Sequence, residues 1–500
     1  MGEKAPTGIE PVHKGFADLS LTPWVRRLKT VIKLTKMGSF VQQRPDRQHL
    51  SRQHAGQPKA LLLYPPIYDF ALYDLFLKPY ALCRLAAWLF GCGYRVRLVN
   101  ALDYTDPRSI AVLGSPKREP RGTGKFFRQI VPTPTAVAGI KRSYARYGIL
   151  AESLEQRIAA EEPDIVFVSA GMSYWYPGVL EAIRIVRRVF PKAPVVLGGI
   201  YPTLCPEHAG ACSEADLVIA GPAFPRLKDF LETRFLPTTA APTAEELLLL
   251  PEANWEAGVL RLNRGCPMAC AYCSSKVIEP RFNPGDPDLL FNTVWEMHRC
   301  FGTRSFAFYD DALLCNKEQG LLPFLEKICR SELPLTFYLP NAVHLRHLDP
   351  DCATMMKRAG FAEVRIGFES ALSEFHETLD SKLDTPMLAD GLEHLLRAGF
   401  SPRSITAYVL AGMPGQEAGE VEMTVRHAAR FGIRVQLAEY SPTPGSLLWP
   451  QAVRCSSFDL AAEPLTHNNS ILPMRWRGFT LEDLDRLKSL SRSPLERSGV

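Results

Sequence analysis

Three cysteines carry the most reactive pattern in this chain. Residues 264–273 read RGCPMACAYC and set Cys266, Cys270 and Cys273 in a CxxxCxxC arrangement on a turn stiffened by Gly265 and Pro267. Three thiolates this close can hold three irons of a cubane [4Fe–4S] cluster and leave the fourth iron open to an outside ligand. Two plainer uses of clustered cysteines compete with that one. They are a zinc site completed by a remote His, and reduced core thiols without chemistry. Zinc modules more often pair two CxxC units at a distance, and no second unit occurs among the other cysteines.

A cluster with an open iron needs a scaffold that presents it, and the residues from about 255 to 450 supply a pattern for one. Apolar runs at about 259–263, 304–309, 335–339, 363–368, 403–411 and 433–440 read as strands, with helical stretches at about 286–300, 318–330, 350–359, 386–398 and 417–431 between them. Six strand–helix steps predict a partial (βα)6 barrel of TIM type, whose working residues sit after the strand carboxyl ends. Polar and turn residues do fall there: Asp310 and Asp311 after the second strand, Asn341 after the third, Glu369 and Ser370 after the fourth, Gly412 to Gln416 after the fifth, and Ser441 to Gly445 after the sixth.

The cysteine spacing, Tyr272 before the last Cys, and the strand just upstream together resemble the radical S-adenosylmethionine (SAM) superfamily, over roughly residues 255–450. The resemblance implies that Cys266, Cys270 and Cys273 ligate the cluster and that its open iron chelates the amine and carboxylate of SAM. It places Tyr272 beside the adenine, Asp310 and Asp311 at the SAM amino group, Glu369 and Ser370 at the ribose hydroxyls, and the Gly412 turn near the adenine. Gln416 stands where a Glu is often found, which weakens any direct role for it. The implied chemistry is reductive cleavage of SAM and hydrogen abstraction from a small-molecule substrate, with an electron donor such as a flavodoxin or ferredoxin.

Upstream, residues 58–240 alternate in the same manner. Strands are expected at 59–64, 94–99, 164–169, 194–198 and 215–220, and helices at about 78–91, 151–161, 177–190 and 225–234. This predicts a Rossmann-like (flavodoxin-like) doubly wound sheet with ligand space outside the strand carboxyl ends. Ser169 and the pair Gly198 and Gly199 lie at those ends. In this position they resemble the cobalamin-binding domain that precedes many radical SAM cores. That domain usually carries Asp-x-His-x-x-Gly, whose His coordinates cobalt, whereas residues 100–106 here read NALDYTD and hold no His. Two readings remain: cobalamin held without a protein lower ligand, or a domain that has lost it. The first makes the chain a cobalamin-dependent methyltransferase, and the second a radical SAM enzyme of another outcome, such as rearrangement, cyclisation or oxidation.

Residues 105–150 interrupt the alternation with a Pro-, Gly- and Arg-rich insertion, read either as a cationic lid or as a solvated loop. Tyr174, Trp175 and Tyr176, at a strand end, read as the wall of a flat-ring pocket or as packing. Residues 1–57 form a basic arm and linker, with an amphipathic stretch at 23–36 that suits a packed helix or a membrane surface, and 451–500 read as a short helical tail.

The totals bound the class. Five hundred residues, 46% hydrophobic and 22% charged, describe a globular chain with mass for two or three cores. A net charge of +5 implies no large nucleic-acid footprint. Twelve cysteines without regular spacing point to a reducing cytoplasm rather than a disulfide scaffold, and no run reaches the ~18 apolar residues of a transmembrane segment. From a different class altogether, a metal-stabilised protein that binds nucleic acid or membrane through its basic arm and insertion is the remaining alternative.

Overall fold

The apolar runs of the first domain become a five-stranded parallel sheet because each is covered on both faces. The computed structural model describes residues 56–239, 246–380 and 385–492. Strands β1 (Lys59–Tyr64), β2 (Arg95–Asn100), β3 (Ile165–Ala170), β4 (Val195–Gly199) and β5 (Leu217–Val218) pair in the order β2-β1-β3-β4-β5. All four pairings are parallel. Such a sheet needs helical crossovers, supplied by α1 (Tyr80–Gly91), α2 (Ala151–Ala159), α3 (Tyr176–Val189) and the short helices Ile200–Leu204 and Pro206–Cys212, and α4 (Ala223–Arg234) follows the last strand. Strand order reverses between β1 and β3, which opens a crevice at the carboxyl edge.

The second half carries six parallel strands: β6 (Ala257–Leu260), β7 (Ser305–Phe308), β8 (Thr336–Tyr338), β9 (Val364–Glu369), β10 (Ile405–Ala411) and β11 (Arg434–Glu439). They form two three-stranded sheets, β8-β7-β6 and β9-β10-β11, and a parallel bridge from Val343 to Ile366 continues the curve between the halves. Helices α5 (Pro287–Phe301), α6 (Leu321–Ser331), α7 (Pro350–Arg358), α8 (Thr385–Arg397) and α9 (Ala418–Ala429) follow the strands in turn. Their starts are chemically marked. Asp286 and Asp349 cap α5 and α7 by accepting from backbone N–H groups, each with Pro at the first helical position, where a missing N–H costs nothing. Phe306 and Phe308 of β7 and Phe337 of β8 pack with Phe361 and with Phe324 of α6, in the layer between the first three strands and the helices that cover them.

Two expectations change. Residues 105–150 are neither a lid nor a solvated loop: they contain the helix Pro107–Leu113 and the strands Arg128–Ile130 and Ala145–Tyr147, which join Ile67–Asp69 in an antiparallel sheet. Buried Phe126, Phe127 and Tyr144 pin this sheet to the domain, and Arg146, 5% exposed, donates to both oxygens of Glu181 at 2.8–3.0 Å. The three consecutive aromatics are packing rather than a ring pocket. Tyr174 is buried, the Trp175 indole donates to Asp69 Oδ2 at 2.7 Å, and Tyr176 stacks on Tyr201.

The residues after β11 bridge the two halves. Ser173 Oγ lies 2.9 Å from His467 Nδ1, Asn468 donates to Asp69 at 2.9 Å, and Tyr176 donates to Glu463 at 3.0 Å. The tail ends in α10 (Leu481–Arg492), which packs on α9 and β11 and pairs Lys488 with Glu439 at 2.6 Å. The basic stretch 23–36 and the last residues, 493–500, lie outside the described residues. Among those described, no helix is long and apolar enough to cross a membrane.

Candidate active site

The cysteine loop is held at both ends by groups distant in sequence. At its start, Asp310 accepts from Leu262 N at 2.9 Å and from Asn263 N at 2.6 Å, so the residue after β7 braces the exit of β6. Arg264 and Asn283 then exchange backbone hydrogen bonds at 2.9 and 2.8 Å. Gly265 has φ of 73°, and a side chain there would meet the carbonyl oxygens of Arg281 and Glu279. Only glycine satisfies both conditions. At the far end Ala271 N donates to Leu379 O at 2.7 Å, Leu448 N donates to Ala271 O at 2.9 Å, and Ser274 Oγ donates to the Pro444 carbonyl at 2.9 Å.

The three cysteines line one cavity of about 290 Å3, together with Tyr272, Asp311 and Glu369. Cys270 is buried, Cys266 half-buried and Cys273 exposed, so the loop lies at the rim of the barrel. Burial pushes the Cys266 thiol up from its ordinary pKa. A thiolate there therefore needs a positive partner, which iron supplies. Among the described residues no three His, Cys, Asp or Glu side chains converge closely enough to hold a single metal ion. Three sulfur donors around an open cavity suit a cubane cluster, in which each thiolate would bind its own iron. A depression of about 340 Å3 on the outer face of α3 has no thiol in its wall.

The structure separates residues that the sequence grouped. Asp311 lines the cavity, but Asp310 turns away to the base of the loop, 3% exposed, and burial pushes its carboxyl up to about 7. Glu369 lines the cavity, whereas Ser370 is buried behind it and its hydroxyl accepts from Leu372 N at 3.1 Å. Gly412 faces the tail, where a side chain would meet Leu472, and does not line the cavity. Gln416 closes that turn, its Oε1 accepting from Gly412 N and Met413 N at 2.8 and 3.2 Å and its Nε2 donating to Leu410 O at 3.0 Å. Among the wall residues that the sequence reading missed are Ser275, His344, Tyr408 and Ala438. The alternation of β10, which aims every second side chain inward, was the signal for Tyr408.

In the first domain Ser169 and Gly198 are register partners at the carboxyl ends of β3 and β4. Nothing lies within 4 Å of the place where a Gly198 side chain would stand, while Gly199, at φ of 104°, would collide with the Ala170 carbonyl. A bare backbone edge beside open space fits the close approach of a nucleotide tail. The loop after β2 carries no imidazole; Asn100 donates to Glu252 O and Asp103 pairs with Arg157 at 2.9 Å. The residues present thus fit cobalamin without a ligand from that loop. This edge adjoins the cysteine loop, because helix Ser275–Ile278 packs on Ile200–Leu204.

A parallel barrel with three thiols at its rim, joined to a flavodoxin-like sheet with a bare carboxyl edge, defines an enzyme of two cofactor seats. The chain carries a radical SAM domain and a B12 binding domain: residues 260–428 match the family model of the radical SAM superfamily and residues 135–229 that of the B12 binding domain. The cofactors of this enzyme class are a [4Fe–4S] cluster and SAM, with cobalamin at the B12 domain. The chain is 25% identical over 357 residues to an uncharacterized methyltransferase of Pyrococcus horikoshii, covering 64% of this chain and 73% of that one. It is 24% identical over 263 residues to the anaerobic magnesium-protoporphyrin IX monomethyl ester cyclase of Synechocystis sp., covering 45% of this chain and 52% of that one. Its fold is that of the radical SAM methyltransferase TsrM from Kitasatospora setae, solved with tryptophan and a SAM analogue, at a TM-score of 0.61 and 15% identity over 88% of this chain and 90% of that one.

Proposed function

We propose that Cys266, Cys270 and Cys273 ligate the cluster of a cobalamin-dependent radical SAM methyltransferase, with SAM in the cavity they share with Asp311 and Glu369. The observation that carries this reading is the meeting of the thiols and two carboxylates in one cavity at the rim that adjoins the Gly198 edge. When bound, the reduced cluster supplies the electron that cleaves SAM, and cobalamin supplies a methyl carrier. Asp311 and Glu369 are acceptors suited to the ammonium and hydroxyl groups of SAM. Tyr272 forms the wall beside the cysteines. Ser169, Gly198 and Gly199 form the seat of the nucleotide tail. Packing between the domains keeps water from the reacting groups, as Tyr309 does by donating to Phe76 O and accepting from Lys78 N.

The electron comes from an external donor of flavodoxin or ferredoxin type, and the substrate is a small molecule. A reducing cytoplasm suits the cysteines, all twelve of which are free thiols. Anaerobic reconstitution with iron, sulfide and hydroxocobalamin, followed by dithionite and SAM, tests the reading, with Cys270→Ala as control. Cluster-dependent 5′-deoxyadenosine or S-adenosylhomocysteine with retained corrinoid is expected. Cleavage of SAM without retained corrinoid points to a non-methylating radical SAM enzyme, and absence of any cluster refutes both.

A further inference from the structure

Behind the cavity wall lies a fully buried polar chain that reaches Tyr272. The Tyr272 hydroxyl donates to Asp380 Oδ2 at 2.9 Å. Asp380 Oδ1 is 2.9 Å from His376 Nδ1, and His376 Nε2 is 2.7 Å from the Ser370 carbonyl oxygen. Asp380 and His376 are 5% and 6% exposed. With Asp380 ionised, both partners of the imidazole only accept, an arrangement that favours the doubly protonated ring. Burial opposes that charge, but the bonds to Asp380 and Ser370 and the nearby carboxylate of Glu369 outweigh it and raise the His376 pKa.

Two further observations tie this chain to the cavity. The residues His376–Asp380 form a single π-helical turn, a rare form that recurs at functional sites. The same turn grips the cysteine loop, since Leu379 O is the acceptor for Ala271 N. On the other side of the imidazolium, Glu369 lines the cavity with φ of 65°, at a register shift between Gly367 and Glu369 in β9. A non-glycine residue in the left-handed region costs energy and persists only where its surroundings hold it. The Ser370 carbonyl bonded to His376 is the next peptide along, so one imidazole steadies the Glu369 turn and, through Asp380, the ring of Tyr272.

We infer that Asp380 and His376 are positioning residues for the SAM site, acting through Tyr272 on one wall of the cavity and through the Glu369–Ser370 turn on the other. The inference rests on the reading that the three cysteines hold the cluster and that this cavity takes SAM. It separates cleanly from a structural role. A device that merely supports the loop would cost iron and thermal stability when broken, whereas a positioning device costs SAM affinity in a chain that still carries its cluster.

The test uses the full chain, reconstituted anaerobically, as wild type, Tyr272→Phe, Asp380→Asn and the double variant. Iron and sulfide per chain, the melting temperature of the apo-protein, the Kd of SAM by equilibrium dialysis, and the effect of SAM on the electron paramagnetic resonance signal of the reduced cluster are read for each. The expected result is wild-type iron and sulfide, an approximately tenfold weaker SAM Kd in each single variant, equal to about 1.4 kcal/mol, and a smaller SAM-induced change in the cluster signal. The double variant should be no weaker than the worse single, because both changes remove the same charge-assisted bond between Tyr272 and Asp380. Unchanged SAM affinity in the cluster-loaded variants, losses that add in the double variant, or iron lost in step with SAM binding each overturn the inference alone. A wild type that assembles no cluster, or binds no SAM once it has one, overturns the underlying reading and this inference with it.

Discussion

Replacing Asp310 with Asn separates a brace from a ligand. The side chain is 3% exposed and accepts from two backbone N–H groups, one to each oxygen. Asn keeps the shape but presents N–H2 to one of those donors, leaving a buried N–H unpaired at a cost of about 1–3 kcal/mol at every pH. Burial raises the Asp310 pKa from 3.8 to about 7, more than the two N–H bonds and Arg261 lower it. Between those two values the folded chain holds a proton that the unfolded chain has lost, so this group's stabilisation, complete below the unfolded pKa, falls as pH rises toward 7. Over the full shift of about three units that loss amounts to about 4 kcal/mol, and about 2 kcal/mol of it falls between pH 5 and 7. The Asp310→Asn chain has no such slope, because an amide does not titrate. This variant should therefore melt below wild type at pH 5 and draw level by about pH 7, a relative change in melting temperature of roughly 4–8 °C for a barrel of this size. Calorimetry of both apo-proteins at pH 5, 6, 7 and 8 measures it, and other titrating groups cancel in the difference. A gap that stays constant from pH 5 to 7 would refute the reasoning, since it would mean that Asp310 is ionised throughout.

The other predictions are shorter. Asp311→Asn removes a cavity carboxylate without touching the brace, so SAM affinity should fall about tenfold while iron content holds, as read by equilibrium dialysis on reconstituted protein. Gly265→Ala puts a side chain at φ of 73° against two carbonyl oxygens, and iron uptake on reconstitution should drop severalfold while the far-ultraviolet circular dichroism stays at wild type. Glu181→Ala strands the buried Arg146 guanidinium and should cost about 3–5 kcal/mol, seen as an early melting transition. Gly198→Leu projects into open space, so the apo-protein should melt within about 0.5 kcal/mol of wild type while retained corrinoid is lost; undiminished corrinoid would remove the Gly198 edge from the cobalamin seat.

Much of this architecture is legible along the chain because it depends on local patterning. Strands such as Ile165–Ala170 are apolar throughout since helices cover both faces, and the caps Asp286 and Asp349 mark helix starts by chemistry that acts within three residues. The thiol spacing is equally local, one loop holding all three cysteines. What the sequence left open depends on direction and on distance. Asp310 and Asp311 are neighbours of one type, yet successive side chains beyond a strand end point opposite ways, and only the packed barrel decides which one meets the cavity. The insertion looked like a loop because its two strands have only three residues each, and the one that anchors them, Ala145–Tyr147, pairs with Ile67–Asp69 far upstream. Asp380 reaches Tyr272 across 108 positions, with nothing in either neighbourhood to announce the other. By itself the sequence determined the elements, the thiol motif and the superfamily it resembles, since each is a short-range property of residue type and period. Tertiary structure alone decided which carboxylates face the cavity, what holds Tyr272, and how the bare Gly198 edge comes beside the cysteine loop, because those follow from side-chain direction and from contacts that close only when distant segments pack.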